Sequence, residues 1–369
     1  MTIRIFNPEH DIALASGQER FTAPHAGRQL RSDLSFLPAL WSEDGDVVVV
    51  DDIDAAGTLY AKCRSARKPT VEFCTFEQLP KLMEDVKDEE VHVDPWGWDA
   101  AIRFQFAKAG VEKSLLPDRK VIDEVRRLSN RKITVELLPE LRRGIESDTC
   151  GEAVYIADYD DFTALSLKRK NLVVKAPWSS SGRGIRYFIE GTDAPTTRDN
   201  ANSWVRNVIA QQGGVMIEPL YAKVKDFALE FQSGDDGRIM YKGLSLFNTL
   251  KAAYTGNLLA TENEKREIVS QYVKLNLLDD VIQRLENLLS ACLKDITDSL
   301  PNICLGVDMM IVAKEDGEGF LLHPCVEVNL RRTMGHVALA LSPANNENMS
   351  MMAVTYEGKK YRLKIKRKQ

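Results

Sequence analysis

Val173-Val174-Lys175-Ala176-Pro177-Trp178-Ser179-Ser180-Ser181-Gly182-Arg183-Gly184-Ile185 is the stretch that decides how this chain is read. An apolar, β-branched run ends in a lysine, a Ser/Gly-rich loop follows, and Gly184 to Ile189 resumes as a second strand. Such a loop can lay backbone N–H groups and hydroxyls along phosphate oxygens while the lysine supplies a point charge. The lysine precedes the loop, so this is not a G-x-x-x-x-G-K-[ST] loop, and no G-x-G-x-x-G turn follows a strand elsewhere. Taken alone, a plain β-hairpin with a solvated lysine fits the stretch equally well.

Further along the chain, Glu327-Val328-Asn329 lies on a predicted strand, where the i, i+2 spacing points both outer side chains to one face. Asp308 lies within the preceding apolar strand, Gly306-Val307-Asp308-Met309-Met310. Two carboxylates and an amide oxygen suit magnesium, with phosphate oxygens and water completing an octahedron; two unrelated acids on neighbouring strands are the plainer reading. Closer to the glycine loop, Val215-Met216-Ile217-Glu218-Pro219-Leu220 runs a hydrophobic strand into a Glu-Pro linker, with Asp226 at the start of the next strand. That connection can offer backbone to an adenine edge and a carboxylate to ribose hydroxyls.

Order joins these pieces. A basic helical segment, a strand lysine with its glycine loop, a glutamate hinge, a strand aspartate and an E-x-N strand occur in one sequence between Asn130 and Arg332. In this the chain resembles the ATP-grasp superfamily over roughly its last two thirds. The resemblance implies an ATP-grasp fold, α+β overall, preceded by an open α/β lobe, with ATP and Mg2+ as cofactors. It implies that Lys132, in Ser129-Asn130-Arg131-Lys132, contacts ATP phosphate, with Arg131 standing where the family commonly has Asp. Lys175 corresponds to a second phosphate-binding lysine, and Ser179, Ser180, Ser181, Gly182 and Gly184 to the glycine-rich loop. Glu218 and Leu220 correspond to the adenine hinge and Asp226 to a ribose acceptor. Asp308, Glu327 and Asn329 correspond to the magnesium ligands.

The E-x-N-x-R extension makes Arg331 the candidate for binding a reacting carboxylate or acyl phosphate, with neighbouring Arg332 the other candidate or a structural ion pair. Lys251, in Leu250-Lys251-Ala252-Ala253-Tyr254, is a further candidate for the γ-phosphate. The implied activity is a ligase: ATP phosphorylates a substrate carboxylate, and an amine, or less often a thiol, attacks the acyl phosphate. A small-molecule kinase on the same fold and a nucleotide-binding protein without turnover are the alternatives. The carboxylate, small molecule or peptide, and the amine acceptor are not identified by these residues.

Bulk properties agree with small-molecule chemistry. A formal net charge of -5 over 369 residues gives no global electrostatic reason to bind nucleic acid or an anionic membrane. The six cysteines are scattered singly, with no C-x-x-C pair, as reduced core thiols would be. No segment approaches ~20 uninterrupted apolar residues, and Glu9, His10 and Asp11 interrupt any early apolar run, so a cytoplasmic protein is expected, monomer or homodimer.

Apolar runs at Ile3 to Phe6, Val47 to Val50, Val71 to Cys74 and Val91 to Val93 alternate with helical spacing, which predicts an open α/β lobe over 1–117. A small lobe with the glycine loop is expected over 118–220, and a C-terminal lobe with the magnesium strand and a basic hairpin over 221–369. The polar run Asn7-Pro8-Glu9-His10-Asp11 follows the first predicted strand, where open α/β sheets place functional loops. A turn into a capped helix explains it as well. The Trp96 and Trp98 pair reads as a packed corner between lobes, with a ligand platform as the minor alternative.

Overall fold

The computed structural model describes residues 1–63, 67–86, 90–179, 184–191, 195–250, 253–345 and 349–367. Four short strands, β1 (Thr2–Ile5), β2 (Val47–Val49), β3 (Glu72–Cys74) and β4 (His92–Pro95), form a parallel sheet in the order β3-β2-β1-β4. Parallel strands need crossovers, and the helices between them supply these. Asp52 and Asp99 start two of the helices by accepting from the backbone N–H of Ala55 and Ile102. The order of these strands reverses at β1, so chain leaving the carboxyl ends of β1 and β4 meets in one crevice.

A second, antiparallel sheet contains β5 (Val154–Ile156), β6 (Leu172–Lys175), β7 (Ile185–Phe188) and β8 (Val215–Pro219), in the order β5-β8-β6-β7. It has its own core, in which Val174, Ile217 and Phe188 pack with Phe162 and with Val205 of the helix Pro195–Gln212. The helices Arg119–Leu128 and Ile133–Arg142 do not join that core. Their apolar faces enter the large core shared by the N-terminal lobe and the last sheet, so the small lobe packs as a unit only from β5 onward.

The third sheet is seven-stranded and built from β9 (Lys223–Ser233), β10 (Ile239–Leu250), β11 (Ala253–Leu259), β12 (Cys304–Ala313), β13 (Phe320–Asn329), β14 (Ser350–Glu357) and β15 (Lys360–Arg367). Their order is β13-β12-β9-β10-β11-β14-β15. The period of two sorts its residues cleanly. On β9, Phe227, Leu229 and Phe231 are fully buried against the helical layer, which leaves Asp226, Ala228 and Glu230 on the opposite face. On β12, Leu305, Val307 and Ile311 do the same and turn Asp308 and Met310 outward.

The α+β architecture expected from the sequence is therefore present: a parallel α/β lobe, then two antiparallel sheets. Trp96 and Trp98 are buried, Trp96 edge-on to Phe6 at 4.9 Å, and so form a packed corner. The basic hairpin β14-β15 caps the end of the large sheet, with the backbone N–H of Tyr361 donating to Asp33 of the helix His25–Asp33. The helix His10–Ser16 begins where the sequence offered a turn into a helix, though without a side-chain cap; strand β11 and the helix Met334–Leu341 have no counterpart in the sequence reading.

Candidate functional site

The cleft between the small sheet and the large one has a volume of about 380 Å³. β6, β7 and β8 present Val173, Lys175, Tyr187 and Glu218 on one side; β9, β12 and β13 present Asp226, Glu230, Asp308, Glu327 and Asn329 on the other. Ser179, Leu220 and Arg331 also line it. Val173, Tyr187, Leu220, Phe247 and Met310 add apolar surface. Ser180, Ser181, Gly182 and Lys251 lie outside the described residues. Gly184 closes the β6-β7 hairpin, its carbonyl accepting from Ala176 N at 2.8 Å.

Acids and cations in the cleft are paired with one another. Lys175, 5% exposed, donates to both oxygens of Glu218 at 2.7 and 2.6 Å. The Glu218 carboxylate is thus engaged by the strand lysine, while the hinge backbone is fixed by Leu220 N donating to Asn171 O at 2.8 Å. Asp226 accepts from Lys223 at 2.5 Å and from Thr249 at 2.6 Å. Glu327 accepts from Arg131 at 2.7 Å.

Asp308 and Glu327 are register partners on β12 and β13, and Gly306 is opposite Asn329, so the three oxygen-bearing side chains share one patch. Burial, then repulsion from Glu327 and Glu230, raises the Asp308 carboxyl well above the usual carboxylate range, and Arg331 only partly offsets this. A cation bound here would relieve that repulsion. Among the described residues no group of three or more His, Cys, Asp or Glu side chains converges on a metal site. The donor set that fits is two carboxylates and the Asn329 amide oxygen, a hard-oxygen set suited to magnesium completed by phosphate and water.

The expectation for Lys132 is corrected, and of the two roles left open for Arg332 the structure shows the ion pair. Lys132 is exposed and does not line the cleft; its ammonium sits over the Tyr155 ring at 5.0 Å. The turn between the helices Arg119–Leu128 and Ile133–Arg142 aims the preceding residue inward instead. Arg131, 4% exposed, donates to Ala176 O, to both Ser179 oxygens and to Glu327. Arg332 also faces away from the cleft. It donates to Asp94 at 2.7 Å, stacks over Trp41 at 5.0 Å and donates its backbone N–H to Trp96 O, which fastens the end of β13 to the N-terminal lobe.

Arg331 does line the cleft, in a bidentate grip on Asp11 at 2.9 and 2.8 Å, with a third bond to Asn329 at 3.0 Å. Burial alone would raise the Asp11 pKa, but the Arg331 charge and hydrogen bonds hold it below the ordinary value, helped by His10 and Arg131. Gly97 makes this approach possible: a Cβ there would stand 2.8 Å from both Arg331 Cβ and the His10 ring.

Glu230 was not singled out from the sequence, although alternation along Asp226-Phe227-Ala228-Leu229-Glu230 marks it as sharing the face of Asp226. It is 1% exposed, accepts from Thr333 at 2.9 Å and pairs with His336 at 3.0 Å. Burial disfavours the charged imidazole of His336, but Glu230 beside it pushes the pKa up to about 10. His323 is the opposite case. Buried edge-on to Tyr221, with Lys175 and Arg142 nearby, its pKa falls to about 3, and it is a neutral packing residue.

No protein-family model matches this chain, and no curated protein matches its sequence. Solved structures with a similar course of chain include N5-carboxyaminoimidazole synthetase from Staphylococcus aureus complexed with ADP, at 10% identity and a TM-score of 0.46 over 96% of this chain and 82% of that one. The biotin carboxylase domain of Hydrogenobacter thermophilus 2-oxoglutarate carboxylase, with MgADP and bicarbonate, is similar at 12% identity and a TM-score of 0.49, over 96% and 74% of the two chains. A biotin carboxylase from Campylobacter jejuni gives 13% and 0.49 over 96% and 76%. At such identities no residue role passes from those proteins to this chain.

Proposed function

We propose that this protein is an ATP- and magnesium-dependent ligase of the ATP-grasp kind, which activates a substrate carboxylate for attack by an amine. The observation that carries this reading is the convergence of Arg131, Lys175, Asp308, Glu327, Asn329 and Arg331, drawn from separate elements, on one cleft between two antiparallel sheets. Asp308, Glu327 and Asn329 would hold the magnesium ion, whose chemistry is charge neutralisation on phosphate oxygens. Arg131 and Lys175 supply the fixed positive charge on the glycine-loop side. The apolar surface around Val173, Tyr187, Leu220 and Met310 suits a purine ring.

In the overall reaction the γ-phosphoryl group passes to a carboxylate oxygen and ADP leaves. The amine nitrogen then bonds to the acyl carbon, the C–O bond to phosphate breaks, and phosphate and a proton are released. Arg331, held by Asp11, Asn329 and the Arg332 carbonyl, keeps one N–H of its guanidinium for the carboxylate. Six free thiols and no helix among the described residues long and apolar enough to cross a membrane fit a cytoplasmic setting for this chemistry.

Thermal unfolding with a non-hydrolysable ATP analogue and magnesium tests the site. At ~100 times its dissociation constant the nucleotide adds about 2.7 kcal/mol to the native chain; Glu327→Ala loses the magnesium-dependent part. No shift at millimolar nucleotide would overturn the reading. ADP release that requires both a carboxylate and an amine identifies a ligase, whereas a stable phosphorylated product without amine identifies a kinase.

A further inference from the structure

The inner end of the cleft, four residues beyond Asp226 along β9, is lined by Glu230, Ser245, Tyr254, Asn257, Thr333 and Gly335, none of which the ATP chemistry above uses. In the strand register Ser245 stands opposite Ala228, and Ala228 opposite Asp308. Glu230 stands opposite Gly306, and Gly306 opposite Asn329, so Glu230 and Asn329 are two strand spacings apart, about 10 Å between backbones. On these two rows only Ala228 and Gly306 separate the inner end from the oxygen patch. The floor between them is therefore open, and Arg331, which bonds to Asn329, lines the same cleft.

The Glu230 carboxylate is only half engaged. Its Oε2 accepts from Thr333 at 2.9 Å and faces His336 at 3.0 Å. Its Oε1 accepts from no described residue, yet it is not one of the sealed atoms without a partner, so this oxygen is the edge of the carboxylate that meets the cleft. Gly335 keeps that edge free: a Cβ there would stand 1.8 Å from Oε1 and 2.7 Å from the Ser245 hydroxyl, so both oxygens border one opening. Ser245 is oriented by a chain of bonds. Tyr254 donates to Asn257 Oδ1, Asn257 Nδ2 donates to Ser245 Oγ at 2.7 Å, and that oxygen keeps a second lone pair.

The charge balance selects what fits. Lys175, Lys223, Arg131 and Arg331 already have carboxylate partners, while Glu327 and Glu230 repel the Asp308 carboxylate, so the inner end carries surplus negative charge. An anion is repelled here, and a cationic donor of N–H bonds is attracted. We infer that the inner end of the cleft binds the nitrogen of a primary amine, which donates to Glu230 Oε1 and Ser245 Oγ. Resting on the ligase reading above, this assigns the nucleophile as a primary amine carried in as its ammonium, in preference to a thiol. Once the extra proton is lost, the two remaining N–H groups still match the two oxygens and the lone pair is left for the acyl carbon. Glu230 and Ser245 are assigned binding and orientation.

Thermal unfolding of the full chain titrated with ethylammonium chloride, with and without a non-hydrolysable ATP analogue and magnesium, tests the assignment. Ethylammonium raises the unfolding temperature at concentrations where potassium chloride, tetramethylammonium chloride, ethanol and ethanethiol do not. In Glu230→Gln, which keeps the shape and the Thr333 bond, the concentration for half the effect rises roughly 10-fold or more, the loss expected for a hydrogen bond to a charged group. Ser245→Ala, which leaves the Glu230 and His336 pair intact, raises it by a smaller factor and serves if the first variant folds poorly. No protection of the native chain by ethylammonium, equal protection by potassium, tetramethylammonium, ethanol or ethanethiol, or an unchanged titration in both variants overturns the proposal. A magnesium-nucleotide shift without protection by the amine sinks this subsite and leaves the ligase reading standing; protection by the amine without any nucleotide shift does the reverse.

Discussion

The cleft and the N-terminal lobe treat buried charge in opposite ways. In the cleft Lys175 is paired with Glu218, Lys223 with Asp226, Arg131 with Glu327 and Arg331 with Asp11. What remains is an excess of carboxylate around Asp308 and Glu230. In the N-terminal lobe the deficit is two buried atoms, Glu9 Oε2 and His10 Nε2, which have no partner among the described residues. Pre-paired cations suit a site that must accept a highly charged ligand. A cation held by Glu327 would free Arg131 for an anionic ligand, an exchange of partners instead of the burial of a new charge.

The sharpest way to break this contrast is to remove a cleft cation. Lys175→Met leaves Glu218 buried without its partner and is expected to lower stability by about 3–5 kcal/mol in chemical unfolding. Pairing it with Glu218→Gln restores most of the loss, while nucleotide binding stays impaired. If the single variant is as stable as the native chain, the pair is not the electrostatic device described.

A smaller effect is expected at the link between the two regions. Asp11→Asn keeps the shape but removes the charge beneath Arg331, at a cost of about 1.5–3 kcal/mol, the worth of hydrogen bonds to charged groups. The folded Asp11 pKa is depressed, so its contribution is present above the ordinary carboxylate value and is lost as pH falls through the folded one. The stability gap between native chain and variant should therefore close on acidification; a gap constant down to strongly acid pH would mean that packing, not charge, holds Arg331.

The mildest prediction concerns His336 and Glu230 at the cleft floor. The His336 pKa is raised to about 10, so the charged pair contributes fully below the ordinary imidazole value near ~6.5 and fades as pH rises through about 10. Native chain and His336→Gln, compared across that window, should differ most near neutrality and least in alkali. A difference that grows with pH would contradict the ion pair.

Asp308, Glu327 and Asn329 were legible because strand periodicity fixes which side chains share a face, and Lys175 because a buried strand ending in lysine before a Ser/Gly loop is an uncommon arrangement. Arg131 against Lys132 was not legible. Adjacent residues in a turn between two helices differ in direction by an angle that the turn sets, and the turn is set by packing. The helix Met334–Leu341 and strand β11 escaped for a related reason, since each is short and takes its conformation from the sheet that it packs on or pairs with.

By itself the sequence determined most of the order of elements, the apolar faces that build three sheets, and the strand-borne acids of the cleft, because these follow from local periodicity. Only the tertiary structure decided which cations meet which acids. Asp11 and Arg331 stand 320 residues apart, Arg131 and Glu327 stand 196 apart, and the unmet oxygen of Glu9 exists only once the lobe has closed around it. Pairings at such separations are selected by the packing of whole layers and leave no local trace in the chain.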